Sequence, residues 1–66
     1  MTTTLPLAPI RRIMTEAGCK RVSEDAVALM AKYAESAIYE VSAEAKHATE
    51  HAGRNTVRVE DIEFVI

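Results

Sequence analysis

The chain has 66 residues, a formal net charge of −2 and one cysteine, which limits it to one small domain and excludes an internal disulfide framework. Its 48% hydrophobic content argues against intrinsic disorder, and no apolar run reaches the length of a membrane span. A domain this small buries only about 60% of its unfolded surface, so association with another chain is the expected staple.

The charges are not evenly spread. Arg11, Arg12, Lys20 and Arg21 against Glu16 leave residues 11–21 at +3. Residues 24–52 carry −4, from Lys32 and Lys46 against Glu24, Asp25, Glu35, Glu40, Glu44 and Glu50. Arg54 and Arg58 give residues 54–58 a charge of +2, and Glu60, Asp61 and Glu63 leave −3 in residues 60–63. Most of the basic side chains thus flank a central acidic segment. Brought together, they make one basic face on an acidic molecule; kept apart, they are ordinary solvated charges.

In chain order, Thr2 to Thr4 reads as a frayed terminus, part of a loose start over residues 1–5. Pro6 and Pro9 fit only the first turn of a helix, so a helix begins near Leu7 or Ala8. Ile10, Ile13, Met14 and Ala17 form its apolar stripe. Gly18 ends it as a left-handed cap. Residues 18–22 connect to Ser23, an N-cap followed by Glu24 and Asp25, which complement the helix dipole. Val22 and Val27 are placed for a hydrophobic staple. Residues 24–52 then read as one helix about 43 Å long.

Along that helix, positions 27, 34, 41 and 48 alternate with 31, 38, 45 and 52 in a heptad-like seam. Leu29, Met30, Tyr33 and Ala37 widen it. A ten-residue helix cannot cover such a rod, so two long helices are expected to cross in a dimer. Gly53 closes the helix. Thr56 to Val59 is β-prone and reads as a short extended segment. Glu60 and Asp61 open a last, two-turn helix carrying Ile62, Phe64, Val65 and Ile66. The class is all-α, short helix, long helix, short helix, in a single domain over residues 1–66.

Three motifs carry a resemblance. Leu5-Pro6-Leu7-Ala8-Pro9-Ile10 precedes the first basic pair. Arg21-Val22-Ser23-Glu24-Asp25-Ala26 opens the long helix. His51-Ala52-Gly53-Arg54-Asn55-Thr56-Val57 runs into Glu60-Asp61-Ile62-Glu63. With these residues the layout resembles the archaeal histones from Leu5 to Val65. The resemblance implies a histone fold paired as a handshake homodimer, in which the first loop of one chain lies beside the second loop of its partner. It also implies salt-dependent, nearly sequence-independent binding to double-stranded DNA. Histone octamers wrap DNA in this way, with arginines in inward-facing minor grooves.

Several roles follow from the resemblance. Arg21 matches the arginine that enters the minor groove, and Thr56 its neighbour in the paired loop. Arg12 matches a phosphate contact, with Arg11 beside it. Lys20 and Arg58 extend the DNA-facing set, as do Arg54 and Asn55. Arg54 also matches an arginine that pairs with the aspartate at Asp61 and braces the second loop. Asn55 stands where relatives often carry lysine. His51 and Asp61 match the pair that joins dimer to dimer, with Ala48 and Phe64 as apolar companions. Gly18, Lys32 and Glu63 match positions at which dimers stack along DNA. Relatives often carry basic residues at Thr15, Tyr39, His47 and Glu50, so weaker DNA affinity than in a basic relative is expected.

One catalytic pattern needs weighing. His47-Ala48-Thr49-Glu50-His51 fits H-x-x-E-H, in which two histidines one turn apart share a zinc and the glutamate acts as base. A catalytic site also needs a third ligand, an open coordination position and a cleft, which a chain this short scarcely offers. The reading is therefore not an enzyme, with no cofactor, no metal, no membrane and no small-molecule substrate. Cys19 reads as a tolerated small residue. The expected role is architectural: a DNA-compacting homodimer that assembles further, cytoplasmic and associated with the chromosome. The alternative is a histone-fold interaction module, one half of a heterodimer, that binds DNA weakly or not at all. The acidic balance, Glu50 and Asn55 favour that alternative.

Overall fold

A computed structural model describes residues 5–66. Three helices account for the regular structure among them: α1 (Leu7–Glu16), α2 (Glu24–His51) and α3 (Val59–Val65). The expectation for Thr2 to Thr4 lies outside the described residues, and Leu5 is half-buried. Packing groups the chain into two units, one ending at Ser36 and one spanning Ala37–Ile66, and α2 runs through both.

In the first unit, Pro6 stands at the N-cap of α1 with φ −65° and ψ 139°. Pro9 falls in the first turn, where a missing N–H costs nothing. The helix ends in a Schellman motif. The Cys19 N–H donates to the Met14 carbonyl at 3.2 Å and the Gly18 N–H to that of Thr15 at 3.0 Å. Gly18 takes φ +110°, a left-handed conformation that a side chain would strain. Helix α2 opens at Ser23, whose Oγ accepts from the Ala26 N–H at 3.1 Å. Val22 is half-buried and Val27 fully buried, as a staple around that cap requires.

The second unit repeats the device at the other end of α2. The Arg54 N–H donates to the Thr49 carbonyl at 3.1 Å and the Gly53 N–H to that of Glu50 at 2.9 Å. Gly53 takes φ +71°. No strand occurs among the described residues. The extended stretch expected at Thr56 to Val59 therefore shrinks. Arg58 is extended, with φ −113° and ψ 169°, but Val59 already begins α3. The reason is local: the Asp61 carboxylate accepts from the Arg58 N–H at 2.8 Å and starts the helix one residue before Glu60.

Burial follows the α2 seam only in part. Val27, Ala31 and Ala45 are fully buried, whereas Ala34, Val41 and Ala48 are half-buried. Ile38 remains 58% exposed. In the first unit, Met14, Ala26, Leu29, Met30 and Tyr33 line an apolar hollow of about 540 Å³. A second hollow of about 440 Å³ shares Met14, Met30 and Tyr33 with it. Tyr33 is 71% exposed and Leu29 69% exposed. Large apolar side chains in water across such a surface mark a face that expects cover.

Candidate nucleic-acid interface and assembly surface

The loop between α1 and α2 is held from both ends. The Schellman bonds fix its start. At its end, the Arg11 Nη1 donates to the Val22 carbonyl at 3.2 Å. Arg11 thus braces the backbone next to Arg21. Arg12 lies in an exposed ion pair with Glu16 at 3.5 Å, a contact worth little in water. Lys20 and Arg21 are exposed, and neither has an acidic partner among the described residues.

The loop between α2 and α3 is organised around one carboxylate. Asp61 is buried and accepts four hydrogen bonds. Arg54 reaches it with both terminal nitrogens, Nη2 to Oδ1 at 2.9 Å and Nη1 to Oδ2 at 3.0 Å. The Thr49 Oγ1 donates to Oδ2 at 2.8 Å. The Arg58 N–H completes the set. The Arg54 guanidinium holds the Asp61 carboxyl well below the usual carboxylate range, helped by the Arg58 N–H and opposed by burial. The same hydrogen bond raises the pKa of Arg54.

Arg54 Nη1 also donates to the Thr56 carbonyl at 2.9 Å. One side chain thus ties the loop's middle to the start of α3. The Asn55, Thr56 and Arg58 side chains are exposed, and Arg58 lies 3.7 Å from Glu60. The eight residues matched to DNA contact therefore divide by engagement. Arg54 is committed to Asp61 and Arg11 to loop backbone, while Arg12 and Arg58 have carboxylate neighbours. Lys20 and Arg21 are the cations of the set with neither an acidic neighbour nor a backbone contact among the described residues; the charge of Arg11, bonded only to a neutral carbonyl, is likewise unpaired there.

The residues matched to dimer–dimer contact meet in one place. Ala48, His51, Asp61 and Phe64 line a hollow of about 390 Å³, together with Ala52, Arg54 and Glu60. Phe64 is 84% exposed. Among the residues matched to stacking, Gly18 has no heavy atom within 4 Å of where a Cβ would stand. Lys32 and Glu63 are exposed. His47 and His51 are exposed on α2, and no group of three or more His, Cys, Asp or Glu able to hold a metal occurs among the described residues.

Sequence reasoning missed Thr49. Its hydroxyl, buried in an alanine-rich helix, donates to Asp61 at 2.8 Å and lies within hydrogen-bonding reach of the Ala45 carbonyl, at 3.0 Å. A threonine there costs helix propensity, and that was the available signal.

The family described as "Histone-like transcription factor (CBF/NF-Y) and archaeal histone" matches residues 3–66. The chain belongs to this family. It is 45% identical over 62 residues to one of the subunits of archaeal histone HAN1 from Thermococcus zilligii, a match covering 94% of this chain and 92% of that relative. It is 41% identical over 62 residues to "Probable archaeal histone 3" of Methanocaldococcus jannaschii, with the same coverage of 94% and 92%. The three helices are those of a histone fold. Histone-fold proteins of this family are structural DNA-binding proteins rather than enzymes, and membership supports an architectural role here. No helix among the described residues is long and apolar enough to cross a membrane.

Proposed function

We propose that this chain is an architectural DNA-binding protein of the chromosome. It completes a single histone-fold domain by pairing with a second copy in a handshake dimer. The exposed apolar face around Met30 and Tyr33 supports the pairing, since a dimer would cover it. Basic loops from the two chains then form one ridge that follows the DNA backbone. Binding is through phosphates and groove shape, without base readout. Bound dimers bend and shorten DNA and add end to end through the hollow at His51, Asp61 and Phe64. Gly18, Lys32 and Glu63 serve contacts between neighbouring dimers along the DNA.

The observation that carries the DNA reading is the state of Lys20 and Arg21. They are exposed, carry no acidic partner among the described residues, and sit on a loop fixed by Arg11 and the Gly18 cap. Such charges release counterions when they meet phosphate. The test is Arg21→Ala in a salt titration of binding to a mixed-sequence duplex. The reading expects weaker binding and a shallower salt slope, by about one phosphate contact. Unchanged affinity and slope would contradict it.

A second reading has its own support. The relative from Thermococcus zilligii is named as one subunit of its histone, and this chain has a net charge of −2. In that reading the partner is a different histone-fold chain that supplies much of the basic surface. Sedimentation of the pure chain separates the two: a stable dimer supports self-pairing, and a monomer that folds only with another chain supports the second reading.

A further inference from the structure

His47 and His51 stand one turn apart on α2, which stays helical through His51. Side chains four apart on a helix share a face, with Cβ atoms about 5–6 Å from each other. The opposite side of the same turns carries Ala45 and Thr49, and both are buried. The Thr49 hydroxyl, bonded to Asp61 at 2.8 Å and within reach of the Ala45 carbonyl at 3.0 Å, fixes that side inward. The Schellman bonds at Gly53 and Arg54 keep the last turn from unwinding. The two imidazoles are therefore held outward on a rigid segment, and neither has a hydrogen-bond or ion-pair partner among the described residues.

We propose that His47 and His51 form a two-imidazole clip for a divalent transition metal, with zinc as the test ion. Neutral imidazole suits zinc, copper and nickel. Histidines at i and i+4 on one helical face can grip a single ion, at roughly 2.0–2.1 Å for zinc. Water fills the remaining positions, so the clip binds a metal without the enclosed ligand set of a catalytic centre. The bound ion bridges two successive turns and reinforces the end of α2. His47 lies outside the residues lining the assembly hollow, whereas His51 is among them. The metal and a neighbouring chain thus draw on one shared imidazole.

The experiment is calorimetric titration of zinc chloride into the wild type, His47→Ala, His51→Ala and Cys19→Ser, each checked for helix content by circular dichroism. The expected result is one ion per chain in the wild type and in Cys19→Ser. Each histidine variant should lose more than about tenfold in affinity, the loss that even an outer-shell metal partner can cost. Zinc should raise the melting temperature of the wild type but not of His47→Ala. No zinc binding in the wild type would overturn the clip. So would undiminished binding in folded His47→Ala, or loss of binding in Cys19→Ser. The His47→Ala result stands independently of the assembly reading.

Discussion

Arg54 and Asp61 meet through two parallel hydrogen bonds, at 2.9 and 3.0 Å, across the turn that joins α2 to α3. Planar guanidinium on planar carboxylate is the geometry that makes a charge-assisted pair specific. Thr49 and the Arg58 N–H occupy the rest of the carboxylate. Lysine at position 54 could not reproduce the fork. The second basic loop therefore owes its form to one acidic residue.

That arrangement sets a pH dependence. The carboxyl of Asp61 is held below its ordinary value in the folded chain, so its contribution is full above the unfolded pKa of roughly 3.9. It is lost as pH falls from there toward the folded value. Denaturant midpoints measured from pH 7 to pH 2 should fall more steeply below about pH 4 in the wild type than in Asp61→Asn. Parallel curves would mean that the carboxylate is not held as described.

Thr49→Val keeps the side-chain shape and removes the hydroxyl from Asp61. The expected loss is about 1 kcal/mol in equilibrium unfolding, the net worth of a hydrogen bond. A neutral outcome would show that Arg54 and the Arg58 N–H satisfy the carboxylate unaided.

Gly53→Ala forces a Cβ into φ +71°. No neighbouring atom obstructs that Cβ, so the penalty is conformational, about 1–2 kcal/mol. Gly53→Asn should cost less, because asparagine tolerates the left-handed region. Equal losses for the two variants would point to a cause other than backbone conformation.

Much of this was legible in the sequence. Pro6, Ser23 and the glycines at 18 and 53 mark helix ends through local chemistry: α1 and α2 begin one residue after their marks and end two residues before theirs. The beginning of α3 was less legible. Val57 and Val59 favour extended backbone, while a local capping bond from the Arg58 N–H to the Asp61 side chain overrides that preference and turns the chain into a helix. Thr49 was invisible for a different reason: its bond to Asp61 is a tertiary contact, and its role exists only once α3 folds back on α2. Charge counting also could not separate Lys20 and Arg21 from Arg12, Arg54 and Arg58, since engagement is a matter of three-dimensional neighbours.

The exposed apolar surface in the first unit predicts folding coupled to association. The melting temperature should rise with protein concentration, as mass action requires when dimerisation completes the core. Met30→Glu, at the hollow lined by Leu29 and Tyr33, should lower both dimer content and helicity. A melting temperature independent of concentration would contradict a dimer-completed core.

Architectural DNA binding is tested most directly by binding to a mixed-sequence DNA duplex long enough for several dimers, titrated with salt and followed by the length of the DNA. A DNA-wrapping dimer should show a steep salt dependence, little preference among sequences, and DNA that shortens as protein is added. No binding even at low salt would contradict that role and leave the chain as a histone-fold partner for another protein.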